Sequence, residues 1–268
     1  MSEPIQVIIL GCRGSIPVSG PEYRRYGGAT LSILIRHSSG TLILDAGTGL
    51  MNCHHQLQNT DSVSLLLTHP HFDHIAGLPM FPEAFRKDFR ISVYGADRSG
   101  LSVREQLEAL MSPPLWPVSP TQLPATFSFH PIQQTFSAEG FKVETMEGNH
   151  PGGVTVFRLT MEEKRIVLLT DCTITDENRE ALLSFSRNCD LLLCDGQYSD
   201  EEWPTRSAFG HNPWSEAARF ARECGARNTR ILHHDPMHTD EILDAASAQV
   251  GTICPTCRLA FDEEEVTL

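Results

Sequence analysis

Three histidines and an aspartate lie within one short stretch of the sequence, His69-Pro-His-Phe-Asp-His74. Imidazole nitrogens and carboxylate oxygens are ligands for Zn²⁺, Mn²⁺ and iron. An apolar segment, Val63 to Leu67, precedes the stretch and predicts a buried strand. Because alternate side chains of an extended backbone face the same way, His69 and His71 converge on one point. A chance cluster of histidines in a polar loop would not need such a strand, so the stretch indicates one metal site or two adjacent ones.

Further candidate ligands follow other apolar segments. Asp171 and Asp195 each stand directly after residues that predict a buried strand, and so does the pair His233-His234. His150 lies in a glycine-flanked loop between two predicted strands. In layered α/β folds the strand ends at one edge share a cleft, so these side chains are expected to meet there. The set contains no cysteine, which favours Zn²⁺, Mn²⁺ or iron over a cysteine-rich structural zinc site.

The whole pattern, Thr68-His-Pro-His-Phe-Asp-His74 followed by His150, Asp171 and His234, resembles the metallo-β-lactamase superfamily. The resemblance covers nearly the whole chain, and its ordered motifs are highly specific. It implies the α/β (α+β) class, as a four-layer αββα sandwich that forms one hydrolase domain over residues 1–268. It also implies a site for two metal ions between the sheets.

The resemblance assigns ligands position by position. Three residues would hold one metal ion, three would hold the other, and one would bridge both: His69, His71 and His150; Asp73, His74 and His234; and Asp171. His233 is the alternative to His234, which we favour because it matches the histidine after Leu-Thr in relatives. Zinc is the favoured metal, with manganese or iron as alternatives.

Two features favour phosphodiesterases within the superfamily. Asp171 would bridge, where metal-dependent lactamases have a cysteine or a carboxylate that binds one ion only. Gly210-His211 before a helix is similar to ribonuclease Z and to the cyclic phosphodiesterase of phosphonate breakdown, and Asp195 would pair with that histidine. Four further motifs look like a bacterial branch labelled cyclic-nucleotide phosphodiesterase-like: Gly11-Cys-Arg-Gly-Ser-Ile-Pro17, Tyr26-Gly-Gly28, Leu44-Asp-Ala-Gly-Thr-Gly49 and His233-His-Asp-Pro236.

A two-metal site also suits phosphodiester chemistry by its charge. The ions outweigh the charge of Asp73 and Asp171, and the remaining positive charge favours an anionic phosphodiester. A bridging hydroxide would attack phosphorus, and His211, oriented by Asp195, would protonate the departing alkoxide. Asp73, Asp195 and His211 are therefore the catalytic candidates, and His211 also lies where it could bind substrate.

Several functions remain open from the sequence. We favour hydrolysis of a small, cyclic nucleotide-like phosphodiester. The alternatives are tRNA 3′ processing of the ribonuclease Z type, hydrolysis of a thioester, lactam or other ester, and a metal-binding regulator without turnover. The net charge of −13 argues against a protein that holds long nucleic acid through its phosphates. The resemblance to ribonuclease Z and the cyclic phosphodiesterases implies a homodimer.

The distribution of cysteines and the length of the apolar runs indicate where the protein is located. The eight cysteines are dispersed in apolar or mixed segments, which fits reduced thiols and a cytoplasmic location. Cys254 and Cys257 form half of a zinc-finger pattern, and without a second pair a structural or accidental role is favoured. No apolar run approaches the roughly 20 residues needed to span a bilayer, so no contact with a membrane is expected.

Two further residues have open roles. Arg13, after the first predicted strand, lies in a tight turn or contacts an anionic substrate. Asp45, at the end of another buried strand, caps a turn or orients a metal ligand.

Local signals predict the surrounding elements. One helix is predicted over residues 75–85, directly after the histidine-rich stretch. Another is predicted to start with Asn212 as N-cap and Pro213 as the first helical residue, and to stop at Gly225. An acidic tail is predicted to close the chain.

Overall fold

Two seven-stranded sheets form the centre of the computed structural model, which describes residues 3–268. The first sheet contains β1 (Gln6–Gly11), β2 (Ser32–His37), β3 (Gly40–Leu44), β4 (Ser62–Leu66), β5 (Arg90–Gly95), β6 (Thr126–Pro131) and β14 (Glu264–Thr267), in the order β14-β1-β2-β3-β4-β5-β6. The second sheet contains β7 (Thr135–Ala138), β8 (Phe141–Gly148), β9 (Val154–Met161), β10 (Lys164–Leu169), β11 (Leu191–Asp195), β12 (Thr229–Leu232) and β13 (Cys257–Leu259), in the order β13-β12-β11-β10-β9-β8-β7.

Helices cover the outer faces of both sheets. The α-helices are α1 (Phe72–Ile75), α2 (Val103–Leu110), α3 (Asp176–Ser186), α4 (Trp203–Arg206), α5 (Trp214–Cys224) and α6 (Asp240–Ile253). The 3-10 segments are Pro21–Tyr23, Thr48–Leu57, Leu78–Met80, Pro82–Phe85, Pro120–Gln122 and Ser207–Phe209.

The alternation of side chains along the strands divides the core into layers. On β1, Val7 and Ile9 pack between the sheets together with Phe157, whereas Ile8 and Leu10 pack outward. A third apolar cluster lies outside the second sheet, against α3, α5 and α6. Each fully buried aliphatic or aromatic side chain contributes about 1.5–3 kcal/mol to this arrangement. The result is a four-layer αββα sandwich, and the fold expected from the sequence is confirmed.

The segments with metal-binding side chains leave the ends of parallel strands. In the second sheet β10, β11 and β12 are parallel, and Asp195 lies opposite Leu232. In the first sheet β3 and β4 are parallel, and Leu44 lies opposite Leu66. The carboxyl ends of parallel strands share one edge of a sheet. The residues that follow β3, β4, β10, β11 and β12 therefore meet at one edge of the sandwich.

The prediction of one helix over residues 75–85 is wrong. Helix α1 ends at Ile75, and two 3-10 turns, Leu78–Met80 and Pro82–Phe85, follow it. Pro79 and Pro82 cannot donate a backbone hydrogen bond, which breaks the helical ladder at these positions. The short helix α1, which five residues separate from β4, places Asp73 and His74 within a single turn.

The start of α5 also differs from the prediction, by one residue. Pro213 is the N-cap and the helix begins at Trp214. The side chain of Asn212 does not cap the helix: it accepts the N–H of Ile174 at 2.8 Å and donates to the carbonyl of Cys172 at 2.8 Å. Gly225 ends the helix with a left-handed φ of 72°, as predicted.

The C-terminal segment is a strand and not a tail. β14 pairs antiparallel with β1, with Val266 opposite Val7. All eight cysteines are buried and free, and Cys254 and Cys257 pack in the apolar cluster outside the second sheet. No helix within residues 3–268 combines the length and the apolar character that crossing a membrane requires.

Candidate metal centre

A cluster of imidazoles and carboxylates occupies the edge where the parallel strands end. The side chains form four overlapping groups, and within each group the potential ligand atoms lie within 4.8 Å of one another: His69, His71 and His150; His69, His74 and Asp171; Asp73, His74 and His233; Asp171, Asp195, His211 and His233. The structure thus brings together every predicted ligand except His234.

The first group has the spacing of nitrogens around one ion. His71 Nδ1 lies 3.1 Å from His150 Nε2. Asp171 Oδ1 lies 4.0 Å from His69 Nε2 and 3.9 Å from His150 Nε2. Ligands 2.0–2.1 Å from a tetrahedral zinc ion are separated by roughly 3.3 Å. These atoms therefore surround a space that suits one divalent ion.

The second group lies on the other side of Asp171. His74 Nε2 is 3.3 Å from Asp171 Oδ2 and 3.4 Å from Asp73 Oδ2. His233 Nε2 is 3.1 Å from Asp73 Oδ2 and 3.2 Å from Asp171 Oδ1. The carboxylate of Asp171 faces both groups, which is the position of a shared ligand.

Asp45 orients two of the imidazoles. Its Oδ2 accepts hydrogen bonds from His74 Nδ1 and from the hydroxyl of Thr68, each at 2.8 Å. Because that hydroxyl gives its only hydrogen to Asp45, it accepts from His69 Nδ1, which lies 3.0 Å away. The Nε2 atoms of His69 and His74 are left facing the cluster. Of the two roles considered for Asp45, the geometry favours the orientation of metal ligands.

Gly210 fixes the third imidazole. Its carbonyl accepts from His150 Nδ1 at 3.2 Å, which leaves His150 Nε2 for the cluster. Gly210 has a left-handed φ of 95°, and a Cβ at this position would lie 2.1 Å from His150 Nδ1. Only glycine fits here without a shift of the backbone or the ring.

The residues present fit divalent cations. Nε2 of His69 and of His74 is buried without a hydrogen-bond partner within residues 3–268, although each ring is held by its other nitrogen. Buried polar atoms are normally satisfied, so these two indicate a partner of another kind. The donors are nitrogen and carboxylate oxygen only, the set that zinc, manganese and iron accept.

The charge of the cluster favours cations as well. Burial disfavours protonation, yet Asp171 and Asp73 raise the pKa of His74 well above its usual value and that of His233 to about 9. The same imidazoles hold the pKa of Asp73 and Asp171 well below the ordinary range despite their burial. The carboxylates therefore stay ionised, which is the form in which they bind a divalent cation.

His211 stands beside the cluster, on Asp195. Its Nδ1 donates to Asp195 Oδ2 at 2.8 Å, and its ring stacks on His233 with centroids 4.7 Å apart. Asp195 also accepts the backbone N–H of Asn212 at 3.0 Å and that of Asp171 at 3.2 Å. One buried carboxylate therefore fixes both His211 and the backbone of Asp171.

An open cavity of about 340 Å³ exposes this arrangement to solvent. Its lining combines the cluster with a small apolar wall: Ser15, His71, Asp73, His150, Pro151, Asp171, Ala208, Phe209, His211 and His233. A cavity of about 420 Å³ lies beside α3 and α5, and its lining includes no residue of the cluster. The first cavity is the candidate substrate site, because only its lining, of these two, includes side chains of the cluster.

The prediction of His234 as a ligand is wrong: the alternative, His233, is the histidine that lies in the cluster. His234 Nε2 donates to the carbonyl of Ala260 at 2.9 Å, and the ring packs edge-on to Tyr26. Burial lowers the pKa of His234 to about 3. Strict alternation along the strand would place His234 on the face of Leu232, but the left-handed φ of 65° at His233 interrupts the alternation.

The prediction of Arg13 as a substrate contact is also wrong. Its side chain is fully buried. The guanidinium donates to three backbone carbonyls: Gly27 at 2.8 Å, Asp235 at 3.0 Å and His238 at 2.7 Å. Arg13 therefore ties the loop after β12 to the turn after β1 and does not reach the cavity.

Residues that the sequence did not single out also form the site. Ser15 donates its backbone N–H to Asp73 Oδ2 at 2.6 Å, and Pro151 and Phe209 supply the apolar wall of the cavity. Pro151 and Phe209 adjoin His150 and Gly210-His211 in the sequence, which is a signal for them, whereas Ser15 follows a Gly-Cys-Arg-Gly turn and adjoins no candidate ligand.

The substitutions His233→Asn and His234→Asn form a matched pair that tests the correction. Asparagine tolerates a left-handed backbone but is too short to replace Nε2. We expect His233→Asn to lose the metal equivalent held with Asp73 and His74. His234→Asn should keep its metal and lose about 1–3 kcal/mol of unfolding free energy, because the carbonyl of Ala260 loses its donor.

Elemental analysis and urea unfolding check both variants. Loss of metal from a folded His234→Asn protein, with full loading of His233→Asn, would contradict the assignment.

The chain matches known proteins in sequence. A family model described as a beta-lactamase superfamily domain matches residues 41–234, more than half of the chain. A ribonuclease Z of Methanosarcina acetivorans is 38% identical over 65 residues, which cover 24% of this chain and only 21% of that protein. A ribonuclease Z of Clostridium kluyveri is 22% identical over 290 residues, covering 87% of this chain and 88% of that one.

Solved structures agree on the fold. The metallo-beta-lactamase fold protein YhfI from Bacillus subtilis has a TM-score of 0.77 at 22% identity, over 100% of both chains. A diphosphatase from the PhnP family has a TM-score of 0.74 at 15% identity, over 99% of this chain and 97% of that one. The chain therefore belongs to the beta-lactamase superfamily, with the metallo-β-lactamase fold of metal-dependent hydrolases.

Proposed function

We propose that the protein hydrolyses a small, cyclic nucleotide-like phosphodiester with two divalent metal ions per chain. One observation carries the proposal: His211, held by Asp195, faces the same cavity as the imidazole and carboxylate cluster. A proton donor placed next to a two-cation site suits a reaction in which an anionic ester loses an alkoxide.

Seven residues would hold the two ions: His69, His71 and His150 for one; Asp73, His74 and His233 for the other; and Asp171 for both. When bound, such ions stabilise developing negative charge on phosphoryl oxygens and supply hydroxide as a nucleophile near neutral pH. Zinc suits the nitrogen-rich first group best, with manganese or iron as alternatives.

The chain's own residues would complete the reaction. His211 Nδ1 is held by Asp195 Oδ2, so the ring cannot turn and its Nε2 is the atom available to protonate the leaving oxygen. The carboxylate of Asp195 would stabilise the imidazolium form that donates the proton. The stack on His233 keeps His211 next to the metal site.

The size and charge of the site support a small substrate. The cavity of about 340 Å³ is at the lower end of the volumes that bind small molecules. Pro151 and Phe209 give it an apolar wall that a planar ring could contact. The net charge of −13 disfavours long nucleic acid but acts weakly on an anion inside a site with two cations.

A second candidate is tRNA 3′ processing, which the resemblance to proteins named ribonuclease Z favours. It requires a surface that grips RNA phosphates, and the overall charge opposes such a surface. A gel shift with precursor tRNA at low salt separates the candidates, because only the second predicts binding there. A third candidate is hydrolysis of a thioester or another ester by the same fold, and an assay with a thioester substrate tests it.

A substrate panel tests the proposed function. Protein reconstituted with zinc, manganese or iron is assayed on 3′,5′-cyclic, 2′,3′-cyclic and sugar 1,2-cyclic phosphodiesters, on bis(p-nitrophenyl) phosphate, and on a thioester. We expect metal-dependent turnover of at least one cyclic phosphodiester and about two metal ions per chain by elemental analysis. One equivalent or fewer in protein never exposed to chelator, or turnover of the thioester alone, would contradict the proposal.

The homodimer, the cytoplasmic location and the single domain over residues 1–268 remain predictions. The homodimer rests on the resemblance to ribonuclease Z and the cyclic phosphodiesterases, and light scattering that gives the mass of one chain at micromolar protein would contradict it. The cytoplasmic location rests on eight cysteines that fit reduced thiols.

A further inference from the structure

Backbone strain is concentrated at the metal cluster. Nine non-glycine residues within residues 3–268 have a left-handed φ, and four of them belong to the site: Ser15, Asp45, Asp171 and His233. Such strain persists where the surrounding structure enforces it, and it collects at functional sites. The side chains of the two aspartates and of His233 have roles in the cluster, whereas only the backbone of Ser15 contacts it.

The backbone contact of Ser15 does not explain its side chain. Ser15 has a φ of 62°, and its N–H donates to Asp73 Oδ2 at 2.6 Å. Glycine would make the same contact with less strain, because it has no Cβ. The backbone contact therefore does not require the hydroxyl, which lies exposed on the wall of the cavity that also contains His211 and His233.

Gln197 holds this hydroxyl in one orientation. Its Nε2 donates to Ser15 Oγ at 3.1 Å. Gln197 is only 1% exposed, and it follows Asp195 by two residues, so its position is fixed by the same strand end as the partner of His211. Because Ser15 Oγ accepts this bond, its own hydrogen is free to donate into the cavity.

We propose that Ser15 Oγ donates a hydrogen bond to a phosphoryl oxygen of the substrate, and that Gln197 is the positioning residue for this donor. The inference rests on the proposed function, because it takes a phosphodiester as the occupant of the cavity. Ser15 and His211 line the same cavity, so a hydroxyl donor at Ser15 lies where it can bind an oxygen of an anionic occupant. Hydrogen bonds to charged oxygens are also stronger than neutral ones.

The variant Ser15→Gly removes the hydroxyl and keeps the backbone N–H. We expect kcat/KM on bis(p-nitrophenyl) phosphate to fall about 10–100-fold, the effect of losing a hydrogen bond to a charged group. Competitive inhibition by dimethyl phosphate, an unreactive phosphodiester, should weaken by a similar factor. Metal content should be unchanged, and the melting temperature should stay the same or rise because strain is relieved.

Glu162→Gly is the matched control. Glu162 also has a left-handed φ, 52°, but it lies in the exposed turn between β9 and β10, at the end of β10 remote from Asp171. This variant should relieve comparable strain and leave both activity and inhibition unchanged.

A double-mutant cycle tests the role of Gln197. Gln197→Met removes the amide and preserves much of the side-chain volume. We expect this substitution to lower kcat/KM several-fold in the wild-type background and to change kcat/KM almost not at all in the Ser15→Gly background. Equal losses in both backgrounds would assign Gln197 to the structure alone. Ser15→Asn, which tolerates the left-handed backbone and restores a donor, should recover part of the lost activity.

The possible failures can be told apart. Wild-type turnover of phosphodiesters with full activity of Ser15→Gly would overturn this inference and leave the proposed function intact. Wild-type protein that binds two metal ions and hydrolyses no phosphodiester would overturn both.

Discussion

His211→Ala is expected to retain both metal ions and to lose about 10²–10⁴-fold in rate on phosphodiesters with alkoxide leaving groups. The reason is geometric: Asp195 holds Nδ1 of His211 at 2.8 Å, which leaves Nε2 as the nitrogen available for the proposed proton transfer. On bis(p-nitrophenyl) phosphate the loss should be smaller, because p-nitrophenolate departs without a proton. Steady-state kinetics on both substrates, together with elemental analysis, make the comparison.

Two other outcomes would assign His211 differently. Equal loss on both substrates with intact metal content would make His211 a binding group for the phosphoryl oxygens. Parallel loss of stability and of both activities would mean that the ring only supports the start of α5. His130→Ala is a suitable control, because His130 is a partly buried histidine on β6 whose Nε2 contacts Ser128 outside the cavity.

Asp171→Gly is expected to lose both metal ions together and all measurable hydrolysis. The two oxygens of Asp171 face both groups of imidazoles, at 3.3 Å from His74 and 3.2 Å from His233 on one side and 3.9 Å from His150 on the other. Glycine suits the left-handed φ of 52° at this position, so the substitution removes the carboxylate without adding strain.

The comparison variant is His74→Ala, which removes a ligand of one group only. It should lose one metal equivalent and keep the ion held by His69, His71 and His150. Metal content after dialysis against metal-free buffer, with circular dichroism to confirm folding, distinguishes the variants. Retention of one full equivalent by Asp171→Gly would contradict a shared ligand.

The sequence predicted the parts of the site that follow from regular backbone. His69 and His71 converge because a strand delivers them with a period of two, and Asp171 and Asp195 were found by the ends of buried strands. His234 is favoured over His233 by the resemblance to relatives, and the structure contradicts that choice. The left-handed φ at His233 decides which of the two side chains enters the cluster, and a non-glycine residue gives no sign of that φ in the sequence.

Other errors have different physical causes. An arginine at position 13 gives no sign in the sequence that its guanidinium is buried among three carbonyl acceptors from distant segments. The helix predicted over residues 75–85 does not form because Pro79 and Pro82 interrupt the helical hydrogen bonds. β14 was read as an acidic tail because its pairing with β1 is a contact between the two ends of the chain, which no local pattern contains.

The turn at residues 209–211 limits how this protein can change specificity. Three consecutive residues have three separate tasks there: Phe209 forms part of the cavity wall, Gly210 holds His150, and His211 lines the cavity beside the metal cluster. An insertion or deletion in the turn would displace all three at once. New specificities are therefore accessible by substitution at Ala208 and Phe209 and not by changes of loop length, and a directed-evolution library for this cavity should randomise those two positions at constant length.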